Sequence, residues 1–318
     1  MAVPALIGHG ADLPEERSGP TVLPPDEAPN ARVNPMDDET FARLYTAQYA
    51  SYEEDLPLWR SLAEDRGSPV LELGCGAGRV LLRLAEAGHT VTGLDSNPAM
   101  LRRARAAAAQ RSAGQVRLVQ GDARALHLEQ RFRLILSPCN TLAALEDTDL
   151  AATFAGIRAH LHPAGAFAFE VPGPGEELAN HDPQEPLAAF MDGESGNPVQ
   201  VSATQRSDAA AGRVTVTWRY DELLPDGTVR SWVLSVPYEL RPPEAYARFL
   251  EQAGLRTVAL YGDYRRRALA PGDTRMVVVA VRQTRLRKSP RDLRRRVGRR
   301  AARPAGAAPM PAGERRRY

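Results

Sequence analysis

Val70-Leu71-Glu72-Leu73-Gly74-Cys75-Gly76-Ala77-Gly78-Arg79 is the stretch that decides the fold. An apolar strand runs into a loop with glycine at every second position, and a helical pattern follows at once. A Cβ at Gly74, Gly76 or Gly78 would forbid the turn or block a ligand approaching the backbone. The next strand, Val91-Thr92-Gly93-Leu94, ends in Asp95, about where α/β nucleotide binders place the acid that accepts ribose hydroxyls. The spacing departs from the dinucleotide fingerprint, which needs glycine where this chain has Arg79, and Glu72 inside the strand is foreign to that fingerprint.

The order of strand, acid, loop, helix and second acid resembles motif I of class I S-adenosylmethionine-dependent methyltransferases. The resemblance covers roughly residues 40–283 and is most specific between Val70 and Thr141. It implies an α/β, Rossmann-like, seven-stranded methyltransferase sheet whose last two strands form a reversed hairpin. It also implies S-adenosylmethionine as cofactor. Gly74, Cys75, Gly76 and Gly78 would then cradle the amino-acid end of the cofactor, where helix N–H groups favour a carboxylate. Glu72 would order loop amides or water near the ammonium. Asp95, with Ser96 beside it, would hold the ribose. Asp95 can equally be read as the N-cap of the helix starting at Pro98, with Ser96 or Asn97 as alternatives.

Gly121-Asp122-Ala123 follows the third strand. In the resembled family the acid there accepts the adenine amino group and the next backbone N–H meets a ring nitrogen, although Gly-Asp is also an ordinary turn signal. Met100 and Leu101 would wall the adenine. After the fourth strand comes Leu136-Ser137-Pro138-Cys139-Asn140-Thr141-Leu142, at the sheet edge where ligands bind. Ser137 belongs to the implied cofactor set. Asn140 is a candidate for the methyl-transfer channel, or a turn residue capping the next helix. The run Tyr45 to Asp55 resembles a lid closing over the methionine end, with Tyr49 first and Tyr45 second, although tyrosine at helical spacing also suits a core. Asp263 and Tyr264 follow the sixth strand and are candidates for the substrate side. No catalytic base declares itself, since His127, His160 and His162 occupy turn or helix-end positions. Asn140 and Tyr264 are the catalytic candidates, and no metal set is expected.

Around this centre the chain alternates strands at 69–73, 90–94, 115–119, 132–136 and 165–171 with helices near 78–87, 97–110 and 147–161. Such alternation implies a parallel sheet with right-handed crossovers. Two helices, Met36–Gln48 and Leu56–Glu64, precede it. Residues 1–35 lack apolar periodicity and are expected to lack fixed structure. Residues 172–240 form an insertion or substrate cap: a Pro- and Gly-rich excursion to 198, then antiparallel strands at 199–206, 213–221 and 229–240. A helix from Pro243 stops at Gly254, and strands at 256–262 and 275–282 close the 36–283 domain.

At 318 residues, the chain has room for one sizeable α/β domain with additions. Its net charge of +2 divides unevenly: residues 285–318 carry a net +11 and the rest a net −9. Residues 284–318 read as a basic disordered tail. No apolar run is long enough to span a bilayer and no leader is recognisable, so a cytoplasmic location is expected. Cys75 and Cys139 are the only cysteines, too few for a disulfide framework or a metal quartet. The composition, rich in Ala, Arg and Pro, suggests a GC-rich bacterial genome.

These readings converge on transfer of a methyl group to a small-molecule N or O nucleophile. One alternative is an RNA methyltransferase using the basic tail, although the body is acidic and carries no recognisable RNA-binding module. The other is a non-catalytic protein that binds the cofactor and acts through partners.

Overall fold

The computed structural model describes residues 32–111, 115–176 and 186–283. Residues 1–31 and the basic tail lie outside the described residues. The central feature is a seven-stranded sheet. In chain order its strands are β2 (Val70–Leu73), β3 (Val91–Asp95), β4 (Val116–Gln120), β5 (Phe132–Ser137), β6 (Leu161–Pro172), β11 (Leu255–Tyr261) and β12 (Arg275–Arg282), and in space they run β11-β12-β6-β5-β2-β3-β4. Neighbouring strands from β6 through β4 are parallel, while β12 is antiparallel to both β6 and β11. The reversed hairpin is therefore present.

Local sequence explains the elements. All four β2 residues are buried, as expected of a parallel strand covered on both faces. Helix α3 (Arg79–Glu86) buries Val80, Leu81, Leu84 and Ala85 against the sheet. Helix α4 (Pro98–Gln110) starts with Pro98, and the Asn97 side chain accepts from the N–H groups of Ala99 and Met100. Asn97 is thus the cap, and the capping role considered for Asp95 is not observed. Helix α5 (Asp147–His160) ends at His160, whose ring bonds to Gly156 O at 2.7 Å and accepts from Leu128 N–H at 3.0 Å, a structural role.

The insertion lies between β6 and helix α6 (Pro243–Gln252). Its strands β8 (Pro198–Asp208), β9 (Arg213–Leu223) and β10 (Val229–Glu239) form an antiparallel set, as expected. Two strands were not anticipated. Arg32–Pro35 forms β1, parallel to β10, although these residues were expected to lack fixed structure. Ala188–Met191 forms β7 on the opposite edge, inside the expected excursion. Both are four residues long: β1 is held by pairing with β10, about two hundred residues later, and β7 by a tight hairpin with β8, in which Met191 faces Pro198. The five-stranded order is β1-β10-β9-β8-β7.

Helices α1 (Asp38–Gln48) and α2 (Leu56–Arg66) precede β2. Asp37 caps α1 by accepting from Thr40 N–H at 2.8 Å. Phe41 packs with Met100, while Trp59 and Leu62 enter the core beneath α3. No described helix is long and apolar enough to cross a membrane.

Candidate active site

The glycine loop leaves β2 with Gly74, Gly76 and Gly78 all at positive φ. At Gly74 a Cβ would lie 2.8 Å from Thr141 Cγ2, so the loop and the β5 end approach too closely for a side chain. Gly78, at φ 88°, is the N-cap of α3. Two adjoining cavities of about 200 and 130 Å³ flank this loop. The larger is walled by Tyr45, Tyr49, Tyr52, Glu72, Pro138 and Cys139. The smaller is walled by Phe41, Asp95, Ser96, Asn97 and Met100. Tyr45, Gly74 and Gly76 line both, so the two form halves of one cleft.

Asp95 organises the loop. Its Oδ2 accepts from Gly76 N–H and its Oδ1 from Asn97 N–H, both at 2.8 Å. A carboxylate retains further lone pairs, so it can also accept from ribose hydroxyls. Glu72 is buried, and its Oε2 has no hydrogen-bond partner. Burial raises its pKa to about 8, against the lowering influence of Arg79. An orphaned carboxylate oxygen at the cleft wall suits an ammonium ligand, and the positive N-terminal end of α3 suits a carboxylate. The residues present therefore fit the amino-acid end of the expected cofactor.

Other expected residues fall elsewhere. Cys75 contributes backbone to the cleft, while its side chain packs in the core with Val80 and Leu81 and its thiol is pushed up by burial. Asp122 turns to Arg124 at 2.6 Å, and neither Asp122 nor Ala123 lines either cavity. Ser137 is fully buried with an unpaired Oγ. Asn140 follows Cys139, and both adopt left-handed φ values near 58°. Its buried Oδ1 is unpaired and its side chain caps nothing, contrary to the capping alternative. Asp263 serves its own loop, accepting from the N–H groups of Arg265 and Arg267.

The sequence reading missed a buried network beneath the larger cavity. Arg79, the residue that broke the dinucleotide pattern, binds Asp55 through both guanidinium nitrogens at 2.6 and 2.7 Å. Asp55 is fully buried and also accepts from Trp59 Nε1 at 2.8 Å. Arg79 reaches Tyr52 O at 3.1 Å and Cys139 Sγ at 3.2 Å, so the tyrosine lid is fastened to the glycine-loop helix. Burial opposes the Arg79 charge, but Asp55 more than offsets it and the guanidinium stays protonated.

Next to this pair, Glu170 near the end of β6 accepts from Tyr264 OH at 2.6 Å, Arg275 Nε at 3.1 Å and Cys139 N–H at 3.1 Å. Burial raises the Glu170 pKa and Arg275 counters it. One donor atom each from Asp55, Cys139 and Glu170 lies within 4.8 Å of the others, a spacing that could hold a metal. The carboxylate oxygens are already engaged by arginine, tyrosine, tryptophan and backbone donors, which marks a charge-paired network. A sequence signal for Glu170 existed: an acid within the apolar run Phe167-Ala168-Phe169-Glu170-Val171, as with Glu72.

The lid is also held from the far side. Arg43 pairs with Asp192 and lies 3.6 Å from Glu222, and Tyr220 OH donates to Gln48 at 2.6 Å.

A family model described as "Methyltransferase domain" matches residues 70–165. An uncharacterized methyltransferase of Synechocystis is 35% identical over 161 residues, 47% of this chain and 68% of that protein. The chain belongs to the class I S-adenosylmethionine-dependent methyltransferases. S-Adenosylmethionine is accordingly the methyltransferase's cofactor. Cypemycin N-terminal methyltransferase from a Streptomyces is 31% identical over 150 residues, 46% of this chain and 58% of the relative. The S-adenosylmethionine-bound structure of CalS10, an amino pentose methyltransferase from Micromonospora echinaspora, shares the fold. Its TM-score is 0.58 at 21% identity, with 75% of this methyltransferase and 96% of CalS10 covered.

Proposed function

We propose that this methyltransferase transfers a methyl group to the nitrogen or oxygen of a small molecule, within the 36–283 domain. The observation that carries the reading is the closed construction of the cleft. Tyr45, Tyr49 and Tyr52 wall the larger cavity, and helix α1, which carries Tyr45 and leads into the other two, is fastened to the antiparallel sheet by Arg43 and Gln48. A cleft covered by three tyrosines suits a metabolite-sized acceptor better than a folded macromolecule. Relatives that act on an amino pentose or on a peptide N-terminus support an amine acceptor in particular.

In this reading Glu72 and the first turn of α3 hold the amino-acid end of the cofactor, and Asp95 with Ser96 holds the ribose. Met100 walls the adenine, and the buried, unpaired Oδ1 of Asn140 is the candidate contact to the acceptor. When bound, the cofactor supplies a methyl group made electrophilic by its sulfonium charge. The chain aligns the nucleophile with that methyl group and excludes water, effects that can account for much of a barrier reduction.

The test is mass-spectrometric. Purified protein with S-adenosylmethionine and a panel of small amines, hydroxyls and carboxylates should yield a product heavier by one methylene and S-adenosylhomocysteine in equal amount. A chain ending at Gln283 should behave identically. Turnover that requires both the basic tail and an RNA acceptor would overturn the proposal.

A further inference from the structure

Tyr52 lines the larger cavity, and its hydroxyl lies 3.0 Å from Tyr264 OH. Tyr264 OH in turn lies 2.6 Å from Glu170 Oε1, an acceptor-only atom when ionised. The Tyr264 proton is therefore directed to Glu170, and the Tyr52 proton to the Tyr264 oxygen. This leaves the Tyr52 oxygen with a lone pair free to accept from a further donor. The three groups come from the lid, the β11–β12 loop and the end of β6, distant segments that meet at one line of hydrogen bonds.

We propose that Glu170, acting through Tyr264 and Tyr52, is the terminal acceptor of the proton that the methylated nucleophile gives up. The inference rests on the methyl-transfer reading above. It adds the group that sequence analysis could not name. In the step, the nucleophile's N–H or O–H bond breaks and its electron pair stays on the nucleophile, whose lone pair forms the bond to the methyl carbon. The pair of the broken carbon–sulfur bond remains on sulfur. The proton passes to the Tyr52 oxygen, the Tyr52 proton to Tyr264, and the Tyr264 proton to Glu170, which ends as a neutral acid.

The surroundings suit that task. Facing Glu170 are Arg275 from β12, Tyr264 from its loop, the Cys139 backbone from the β5 end, and the Asp55–Arg79 pair from α2 and α3. Arg275 stacks 4.2 Å over the Tyr264 ring and holds it in place. Burial and the Asp55 charge make Glu170 more basic than an ordinary glutamate, which favours proton uptake. Burial and the Glu170 charge raise the Tyr264 pKa, so the hydroxyl stays protonated and can act as a relay.

The chain can be tested without knowing the acceptor. Sinefungin carries an amine-bearing carbon where the cofactor carries its methylated sulfur, whereas S-adenosylhomocysteine carries a bare thioether there. Calorimetry on the full chain at pH 8 should show sinefungin binding at least about tenfold tighter, the size of one hydrogen bond to a charged network. Tyr52→Phe and Glu170→Gln should each bring that ratio to within about threefold. Tyr52→Phe leaves every Glu170 contact in place, so it decides the matter even where Glu170→Gln folds poorly. A wild-type ratio near one, or a tenfold ratio that survives Tyr52→Phe, would overturn the chain while leaving the methyltransferase reading intact. Wild-type protein that binds neither ligand would overturn both.

Discussion

In the seven-stranded sheet, β2 and most of β12 are buried on both faces, whereas β9 of the five-stranded sheet alternates buried and half-buried residues along its length. The first pattern belongs to a sheet enclosed by helices, the second to one with a single covered face. The enclosed sheet ends in loops, and those loops make the cofactor cleft. Among the described residues, the one-faced sheet supplies no loop to that cleft. It holds the lid from behind, through Asp192, Glu222 and Tyr220. Cofactor chemistry and lid support thus reside in different sheets and should respond separately to mutation.

The sharpest challenge to that division is Arg79→Ala. It leaves the Asp55 charge buried with only the Trp59 Nε1 donor, and should lower stability by about 3–5 kcal/mol in urea unfolding. A loss below about 1 kcal/mol would mean that the lid is not fastened to the glycine-loop helix as described. Asp95→Ala comes next. It should weaken S-adenosylmethionine binding by about 1.5–3 kcal/mol in calorimetry with the fold retained. Unchanged affinity with a lowered melting temperature would reduce Asp95 to a brace for the Gly76 loop.

Glu72→Gln should act through pH. The folded-state pKa of Glu72 is raised to about 8, so the folded form binds more protons than the unfolded one between the ordinary glutamate value and that pH. Wild-type stability is therefore fully present below that ordinary value and is lost as pH rises, by about 1.4 kcal/mol per unit. The glutamine variant should escape this decline, matching wild type near pH 4.5 and exceeding it most near pH 8. Parallel curves across that range would show the Glu72 environment to be polar. The smallest effect is expected of Tyr220→Phe, which removes the bond to Gln48 and should cost about 0.5–1.5 kcal/mol of stability. Its cofactor affinity should stay within about twofold. A larger drop would show that the rear sheet shapes the cleft directly.

Where the sequence was legible, local chemistry decided the structure. The glycine loop and the strand at 213–221 act within a few residues and lie where the pattern placed them, and the cap of α4 fell to Asn97, one of the three residues considered for it. Much of what escaped was set by partners far along the chain. β1 exists because β10 pairs with it some two hundred residues later. Tyr264 was a candidate from its motif, but its partners Glu170 and Tyr52 come from other segments, 94 and 212 residues away. Asp122 sits at the expected turn, yet its side chain is held by Arg124, a neighbour whose direction no motif records.

Helix α1 is held at both ends and in the middle: Asp38 accepts from Asn97, two residues from Asp95, Arg43 joins the rear sheet, and Gln48 meets Tyr220. Such a strut cannot tilt toward one substrate without moving at the other. In kinetic terms, the Michaelis constants for cofactor and acceptor should rise and fall together in variants along this helix. Selection for a new acceptor through α1 would then alter the residence time of S-adenosylhomocysteine, and product release would evolve along with specificity.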